Sequence, residues 1–196
     1  MKKHPLVKKV IISKKQINKK IKELAKSIEK YYYDEHQDLN QNTVLCLGLL
    51  KGSVPFMAKF IEQLTKLECQ TEYMSVASFE GNIEATGVPR ITADSNVDFS
   101  DRDVLIVEDI IDSGRTLKLI KEYLFGKGAK SVKICTIFDK KEGRKVDLHA
   151  DWYGFDVPHK FLIGFGLDYQ ERLRNLPYVA IADEDKIKNW QWKKLK

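Results

Sequence analysis

Apolar residues recur at helical spacing near the start of the chain. Ser13 and Gln16 stand three positions apart, the spacing of a capping box, in which each residue satisfies a free backbone group at a helix start. The apolar positions that follow fall on one helical face: Ile17, Ile21, Leu24 and Ile28. This pattern predicts an amphipathic helix that begins after Ser13 and serves as scaffold.

Further along, short apolar runs bounded by polar residues predict buried strands at 43–50, 71–79, 104–107 and 132–138. Helical patterns separate them, one at 55–67 and one with Leu117, Ile120 and Leu124 on a face that Gly126 would end. These strands do not alternate between apolar and polar residues, and helices lie between them in the sequence. Both features are typical of parallel sheets whose two faces are covered by helices. The pattern therefore predicts an α/β fold with a mainly parallel central sheet flanked by helices, in which ligands bind at the carboxyl ends of the strands.

Residues 80–102 do not continue this succession of strands and helices. The stretch has little hydrophobic periodicity, and Gly81, Gly87 and Pro89 interrupt it. A loop of this length inside a compact domain is usually functional or disordered. From composition alone, a functional lid and a plain exposed hairpin both remain open.

The composition limits the class of protein. A chain of 196 residues with 43% hydrophobic content fits one domain with a substantial core. There is no apolar run long enough to span a membrane. The first apolar stretch is interrupted by lysine and is too short for the core of a signal peptide, so we expect a soluble cytoplasmic protein. Three widely spaced cysteines, Cys46, Cys69 and Cys135, favour small buried hydrophobes over a disulfide framework or a metal knuckle.

The formal net charge is +6, and much of the excess is lysine near the two ends of the chain. Such lysines are common on solvated faces, and a positive field also favours an anionic small substrate. No arginine-rich or aromatic nucleic-acid-reading motif is present, so we expect no nucleic-acid partner.

The strongest chemical signal follows the strand at 104–107. Two adjacent carboxylates, Glu108 and Asp109, precede a small polar turn, 112–116, that leads into a helix. The free amides of a helix start, with the hydroxyls of Ser113 and Thr116, can bind a phosphate, whereas the carboxylates suit sugar hydroxyls. The arrangement predicts a site for a phosphorylated sugar. The competing interpretation is that Asp109 or Asp112 merely caps the helix.

The stretch 104–117, VLIVEDIIDSGRTL, resembles the 5-phosphoribosyl pyrophosphate motif of the type I phosphoribosyltransferases, and its wording is most similar to the hypoxanthine-guanine branch. The resemblance spans about residues 50–177. It implies the type I phosphoribosyltransferase fold as a single domain over 1–196, with a flexible lid loop at 80–102 and elements of a small base-binding hood within 140–196.

The resemblance also implies roles for residues around the phosphoribosyl group. It implies a pyrophosphate loop with a cis peptide after the lysine, ribose contacts, a 5′-phosphate loop, and Asp112 as the catalytic proton acceptor near N7 of the base. The residues are Lys51, Gly52 and Ser53 for the loop, Glu108 and Asp109 for the ribose, Asp112, Ser113, Gly114, Arg115 and Thr116 for the phosphate, and Arg174 for pyrophosphate.

For the purine, the resemblance implies Lys140 at the 6-oxo group, Phe161 stacked on the ring, Leu162 through its backbone, and Asp168 beside them. It implies Mg²⁺ as cofactor, with Glu108, Asp109 and Asp168 as its carboxylates. Ser78 and Phe79 come just before the lid, where the family typically has Ser-Tyr, so the phenol of that tyrosine is missing here.

The activity that the resemblance implies is purine salvage: transfer of the phosphoribosyl group from 5-phosphoribosyl pyrophosphate to N9 of hypoxanthine or guanine, giving IMP or GMP and pyrophosphate. It also implies a homo-oligomer, a dimer or a tetramer. Two alternatives stay open, a xanthine-preferring enzyme and a regulatory RNA-binding protein on the same fold. The first would share the donor site, and the second would bind RNA in a salt-sensitive manner.

Overall fold

Two β-sheets and four α-helices organise the described part of the chain. The computed structural model describes residues 3–35, 43–77 and 89–192. In chain order the elements are β1 (Val7–Ile12), α1 (Lys14–Glu35), β2 (Thr43–Leu50), α2 (Val54–Ile61), β3 (Glu68–Ala77), β4 (Arg90–Ala93), β5 (Asp103–Ile111), α3 (Arg115–Gly126), β6 (Ser131–Asp139), β7 (Trp152–Asp156), β8 (Leu162–Ile163), β9 (Val179–Ala182) and α4 (Glu184–Lys188).

The larger sheet has six strands in the order β4-β3-β2-β5-β6-β7. Neighbouring strands within this sheet run parallel, except that β4 pairs antiparallel with β3. β2 and β5 lie side by side at its centre, with Leu45 opposite Val104 and Gly48 opposite Val107. The predicted α/β fold with a mainly parallel sheet is confirmed.

Helices cover both faces of this sheet because successive strand residues point to opposite sides. Val44 and Cys46 of β2 face the cluster that contains α1 and α2, whereas Leu45 and Leu47 face the cluster that contains α3. Burial on both sides explains why these strands read as unbroken apolar runs.

The smaller sheet has the order β1-β9-β8, with antiparallel pairs. It joins the amino-terminal strand to two strands near the end of the chain, while β7, which also follows residue 140, belongs to the larger sheet. Sequence periodicity did not predict β1, β7 or β9. They are short, and β1 and β9 pair with each other across most of the chain.

The helix boundaries test the local predictions. The capping box is confirmed, since the Ser13 amide donates to Gln16 Oε1 at 2.9 Å and the Gln16 amide donates to Ser13 Oγ at 3.3 Å. The predicted helix 55–67 is too long, because α2 ends at Ile61. The amides of Gln63 and Leu64 donate to carbonyls three residues earlier instead of four, so the α-helical hydrogen-bond pattern stops there.

The predicted end of α3 at Gly126 is confirmed, but Gly126 is the last helical residue and not the glycine with positive φ. Gly126 is still helical, and Gly128 has the positive φ of 85° that ends the helix. The Gly128 amide donates to the Phe125 carbonyl and the Ala129 amide to the Leu124 carbonyl, which is the Schellman pattern. Glycine tolerates this conformation because it has no Cβ.

Within the predicted 80–102 loop, residues 90–93 form β4 against β3. Cys46 and Cys135 are buried and Cys69 is half-buried, all as free thiols, in line with their predicted role as apolar residues. Among the helices of the described ranges, none is long and apolar enough to cross a membrane.

Candidate active site

The carboxyl ends of the central strands border a cavity of about 200 Å³. It lies between the end of β2, the end of β5 and the start of α3. Its lining combines apolar and polar groups: Leu49, Leu50, Val76, Glu108, Ile110, Ile111, Asp112, Ser113, Gly114, Thr116 and Leu117. This is the edge of a parallel sheet at which ligands bind.

The start of α3 presents free backbone amides to this cavity. Its N-cap residue is Gly114, with φ 81°, which has no side chain to cap the helix, and the Arg115 amide donates to Ser113 Oγ at 3.4 Å. The alternative that Asp109 or Asp112 caps α3 is therefore wrong. An uncapped helix start beside the Ser113 and Thr116 hydroxyls can bind a phosphate group, because the amides have no partner within the helix and the helix dipole favours negative charge.

Asp112 stands at the mouth of the cavity with its side chain 46% exposed, and its Oδ2 accepts a hydrogen bond from Lys140 Nζ at 2.7 Å. Lys140 follows β6, next to β5 in the sheet, so the neighbouring strand ends bring the two residues together. The backbone at Gly143 also lies close to Asp112, since a Cβ on Gly143 would lie 1.9 Å from Asp112 Oδ1. A glycine is needed at this approach.

Arg144 supports this segment and was not among the predicted residues. Its guanidinium donates to the Asp112 carbonyl at 2.8 Å and pairs with the buried carboxylate of Asp139. The Lys145 amide also donates to the Ser113 carbonyl at 2.9 Å. The loop after β6 thus fixes the backbone of the predicted phosphate-binding turn. Nothing in the local sequence KKEGRK separates Arg144 from an ordinary surface arginine.

β5 continues to Ile111, so Glu108 and Asp109 lie within the strand and not after its end. Consecutive strand residues point to opposite faces, and the two carboxylates separate accordingly. Glu108 lines the cavity, whereas Asp109 faces Gly52 and Gly166. They cannot act as one two-carboxylate clamp from a single side of the sheet.

Burial perturbs both carboxylates. It raises the pKa of Glu108 well above its usual range, with a further contribution from the charge of Asp109 and an opposing one from the Leu49 amide. Glu108 Oε2 is enclosed and accepts no hydrogen bond. A buried acceptor without a partner is costly, which suits it to a hydroxyl of a bound sugar.

The loop after β2 packs tightly against Asp109. A Cβ on Gly52 would lie 2.0 Å from Asp109 Oδ2, and one on Gly166 would lie 2.1 Å from the Gly52 carbonyl oxygen. The cis peptide joins Leu50 and Lys51, one bond before the expected position after the lysine, because the chain turns away as soon as β2 ends at Leu50. Ser53 is buried and donates from Oγ to the Leu49 carbonyl at 2.6 Å.

A chain of ion pairs links this loop to the segment after β8. Lys51 Nζ lies 2.6 Å from Glu171 Oε2, and the Arg174 guanidinium lies 3.1 Å from Glu171 Oε1 and 2.9 Å from Asp168 Oδ1. The two cations predicted to contact pyrophosphate therefore share one carboxylate. Glu171 was missed, although its place between Asp168 and Arg174 was a usable signal.

The predicted purine residues occupy the small sheet and its approach. Phe161 is 42% exposed, as a ring available for stacking must be, while the Leu162 side chain is buried in β8. The Phe161 carbonyl accepts from the Ala182 amide, so β9 fixes its backbone. Arg115 begins α3 beside the phosphate-binding turn. Ser78 and Phe79 lie outside the described residues.

The predicted metal carboxylates do not form a ready-made cluster. Across 3–35, 43–77 and 89–192, no group of three or more His, Cys, Asp or Glu side chains is arranged to hold a metal ion. Glu108 and Asp109 diverge because of the strand alternation, and Asp168 is paired with Arg174. A cation here would need additional oxygen ligands, such as substrate oxygens and water, an arrangement common for Mg²⁺.

The pKa of Asp109 supports a test on the protein free of divalent cations. Burial raises this pKa from 3.8 to about 6, against the lowering effect of Arg174. The folded state then binds the proton more tightly than the unfolded state, so the contribution of Asp109 to stability is lost as pH rises from about 3.8 to about 6. The loss is on the order of 2–3 kcal/mol.

Chemical denaturation at pH 3.5 and pH 7 measures this loss. Asp109→Asn, which cannot ionise, should show a smaller decrease in the free energy of unfolding over the interval than the wild-type protein. Equal decreases in the two proteins would contradict the raised pKa.

Comparisons with known proteins agree with this geometry. A phosphoribosyl transferase domain family matches residues 14–170. A hypoxanthine-guanine phosphoribosyltransferase from Lactococcus lactis subsp. lactis is 43% identical over 175 residues, which are 89% of this chain and 91% of the relative. The enzyme of the same name from Bacillus subtilis is 43% identical over 176 residues, which are 89% of this chain and 93% of the relative.

A solved structure gives the same result. The crystal structure of a hypoxanthine phosphoribosyltransferase from Staphylococcus aureus superimposes with a TM-score of 0.83 at 36% identity. The match covers 93% of this chain and 95% of that chain. Sequence and structure thus point to the same relatives over nearly the full length.

Proposed function

Because the chain belongs to the phosphoribosyl transferase domain family, we propose that it transfers the 5-phosphoribosyl group from 5-phosphoribosyl pyrophosphate to N9 of hypoxanthine or guanine. The products are IMP or GMP and pyrophosphate, so the enzyme serves purine salvage. The alternatives of a xanthine-preferring enzyme and an RNA-binding regulator are not favoured by the relatives, whose names are those of hypoxanthine-guanine enzymes.

The observation that carries the proposal is the position of Asp112 between two kinds of partner. On one side the uncapped start of α3 offers amides for the 5′-phosphate, and on the other Lys140 Nζ lies 2.7 Å from Asp112 Oδ2. A phosphorylated sugar bound at α3 would place its base near the Asp112–Lys140 pair. The residues thus suit both halves of the substrate pair.

In the proposed reaction, N9 of the base forms a bond to C1 of the ribose as the bond from C1 to the pyrophosphate oxygen breaks. Asp112 accepts the N7 proton of the base, which offsets the positive charge that develops there. Arg174, Lys51 and the amides of its loop stabilise the negative charge on the departing pyrophosphate. Glu108 accepts a hydrogen bond from a ribose hydroxyl and fixes the orientation of the ring.

Lys140 supplies the selectivity for an oxopurine. Its ammonium group is a donor without acceptor capacity, so it complements the 6-oxo group and not the 6-amino group of adenine. Phe161 stacks on the base, and Leu162 contributes backbone contacts. In this scheme Asp112 and Lys140 hold each other in place before substrate enters.

We further propose that the enzyme uses Mg²⁺. Because Glu108 and Asp109 point to opposite faces of β5, one ion would be held either by Asp109 together with Asp168 or by Glu108, and substrate oxygens would complete its ligands. The fit rests on the donor set: hard carboxylate oxygens, two of them on Glu108 and Asp109, whose pKa values are raised by burial. When bound, Mg²⁺ neutralises charge on pyrophosphate. A single domain over 1–196, a lid over 80–102 with Ser78 and Phe79 just before it, and a cytoplasmic homo-oligomer complete the proposal.

Lys140→Ala tests the selectivity. Loss of a hydrogen bond to a charged donor costs about 1.5–3 kcal/mol, so the KM for hypoxanthine and guanine should rise about 10- to 100-fold. The KM for 5-phosphoribosyl pyrophosphate should change much less. Lys141→Ala, which removes an exposed neighbouring lysine that pairs with Asp156, is the matched control. Unchanged oxopurine kinetics in Lys140→Ala would remove Lys140 from the base site.

A spectrophotometric assay tests the function itself. It combines the protein with 5-phosphoribosyl pyrophosphate, Mg²⁺ and each of hypoxanthine, guanine, xanthine and adenine. We expect turnover with hypoxanthine and guanine and little with adenine. Absence of turnover with every base would refute the enzyme assignment.

A further inference from the structure

The segment that carries Asp168 and Arg174 has an unusual backbone. Four of its non-glycine residues have positive φ: Phe165 (46°), Gln170 (50°), Glu171 (63°) and Leu173 (74°). Such conformations are uncommon for residues with a Cβ and persist only where the surroundings fix them. Contacts with the rest of the molecule therefore hold this segment, 164–174, in place.

Trp192, near the end of the described chain, makes three of these contacts. Its indole Nε1 donates to Gln170 Oε1 at 2.8 Å. The Arg172 guanidinium lies 4.7 Å from the centre of its ring, a cation–π distance. Its ring also packs against Tyr169, with centroids 6.0 Å apart. One side chain thus contacts three residues of the segment.

Tyr169 extends the contact to the base-binding side. Its ring meets Phe161 edge to face, with centroids 6.1 Å apart and an interplanar angle of 89°. Its hydroxyl donates to the Ile187 carbonyl at 3.2 Å, which leaves its ring as the link between the other two aromatics. Phe161, Tyr169 and Trp192 therefore form a continuous row of rings.

The other side of Trp192 is anchored as well. Trp190 packs against it with centroids 5.7 Å apart, and His4 lies 5.6 Å from Trp190 and 6.0 Å from Trp192. The carboxyl-terminal segment is thus pinned between the start of the chain and segment 164–174. These aromatic residues have no place in the reaction scheme above.

We propose that Trp192 is a positioning residue for the purine site. It holds Tyr169 and segment 164–174, and through Tyr169 it fixes the orientation of Phe161. Without the indole, the strained segment relaxes, Phe161 loses its edge contact, and the base binds less tightly. This inference rests on the proposed function, since it takes Phe161 as the ring that stacks on the purine.

Kinetics of three variants test it. Trp192→Ala should raise the KM for hypoxanthine and guanine about tenfold, the effect expected from the loss of aromatic and cation–π contacts, with little change in kcat. Trp192→Phe keeps a ring against Tyr169 and Arg172 and should restore the KM to within about threefold of wild type. Phe125→Ala removes an exposed aromatic from α3, far from the site, and should leave the kinetics unchanged.

A spectroscopic measurement separates positioning from simple structural support. In a variant with Trp152→Phe and Trp190→Phe, Trp192 is the remaining tryptophan, so its emission reports on the row of rings. Titration with IMP should shift or quench this emission, because the base contacts Phe161. If Trp192 serves only as structural support, its emission would not change on titration with IMP.

The outcomes distinguish this inference from the proposed function. Wild-type turnover together with a Trp192→Ala purine KM within threefold of wild type would overturn the positioning role alone, as would Trp192 emission that IMP does not alter. Absence of turnover in the wild-type protein would overturn both.

Discussion

Asp112→Asn should lower kcat by about 10²- to 10⁴-fold, the range that a positioned general base contributes. The amide keeps the size of the side chain and can still accept the hydrogen bond from Lys140 Nζ, so the site should stay assembled. What it cannot do is take the N7 proton. The KM for 5-phosphoribosyl pyrophosphate should therefore change far less than kcat.

Steady-state kinetics with saturating hypoxanthine measure this effect. Asp147→Asn is the matched control, since Asp147 is almost fully exposed and its side chain pairs only with His149. It should retain wild-type kcat. If Asp112→Asn stays within about threefold of wild type, a barrier change under roughly 0.7 kcal/mol, Asp112 is not the base.

Gly166→Ala should be a severely damaging single-methyl change near the site. Gly166 has a φ of 99°, and a Cβ there would lie 2.1 Å from the Gly52 carbonyl oxygen. Both problems involve backbone, which cannot rotate away as a side chain can. We expect a loss of roughly 2–4 kcal/mol in the free energy of unfolding from strain and overlap together.

The same change should also lower activity, because Gly52 moves with any adjustment at Gly166 and packs against Asp109. Gly126→Ala is the control: it adds the same methyl group within α3, where nothing lies within 4 Å of the new Cβ. It should raise stability by about 0.5–1 kcal/mol. Equal denaturation midpoints for the two variants would contradict the packing of Gly166 on Gly52.

Local patterns were predictable where a few neighbouring residues determine the outcome. The capping box at Ser13, the face of α1 and the apolar run of β2 depend on contacts within one or two turns or on burial of a whole segment. The end of α2 was missed because tertiary packing, not propensity, decides where a short helix stops. Strand β7 was missed because its hydrogen bonds go to β6.

The predicted residues of the site proved close together for a general reason. Parallel strands end at the same edge of a sheet, so residues after β2, β5 and β6 meet although they are far apart in sequence. The motif 104–117 therefore lies at this edge and lines the cavity there. The sequence could not reveal that Glu108 and Asp109 diverge, since that required the length of β5.

By itself, the sequence determined the fold class and the family of this protein and predicted a phosphate-binding turn, because these depend on periodicity and on a long contiguous motif. Only the tertiary structure decided which charges meet: Asp112 with Lys140, Arg144 with Asp139, and Glu171 between Lys51 and Arg174. Each of these pairings depends on distances between side chains brought together by the sheet and its loops. A single sequence carries residue types, whereas charge pairing depends on positions in space.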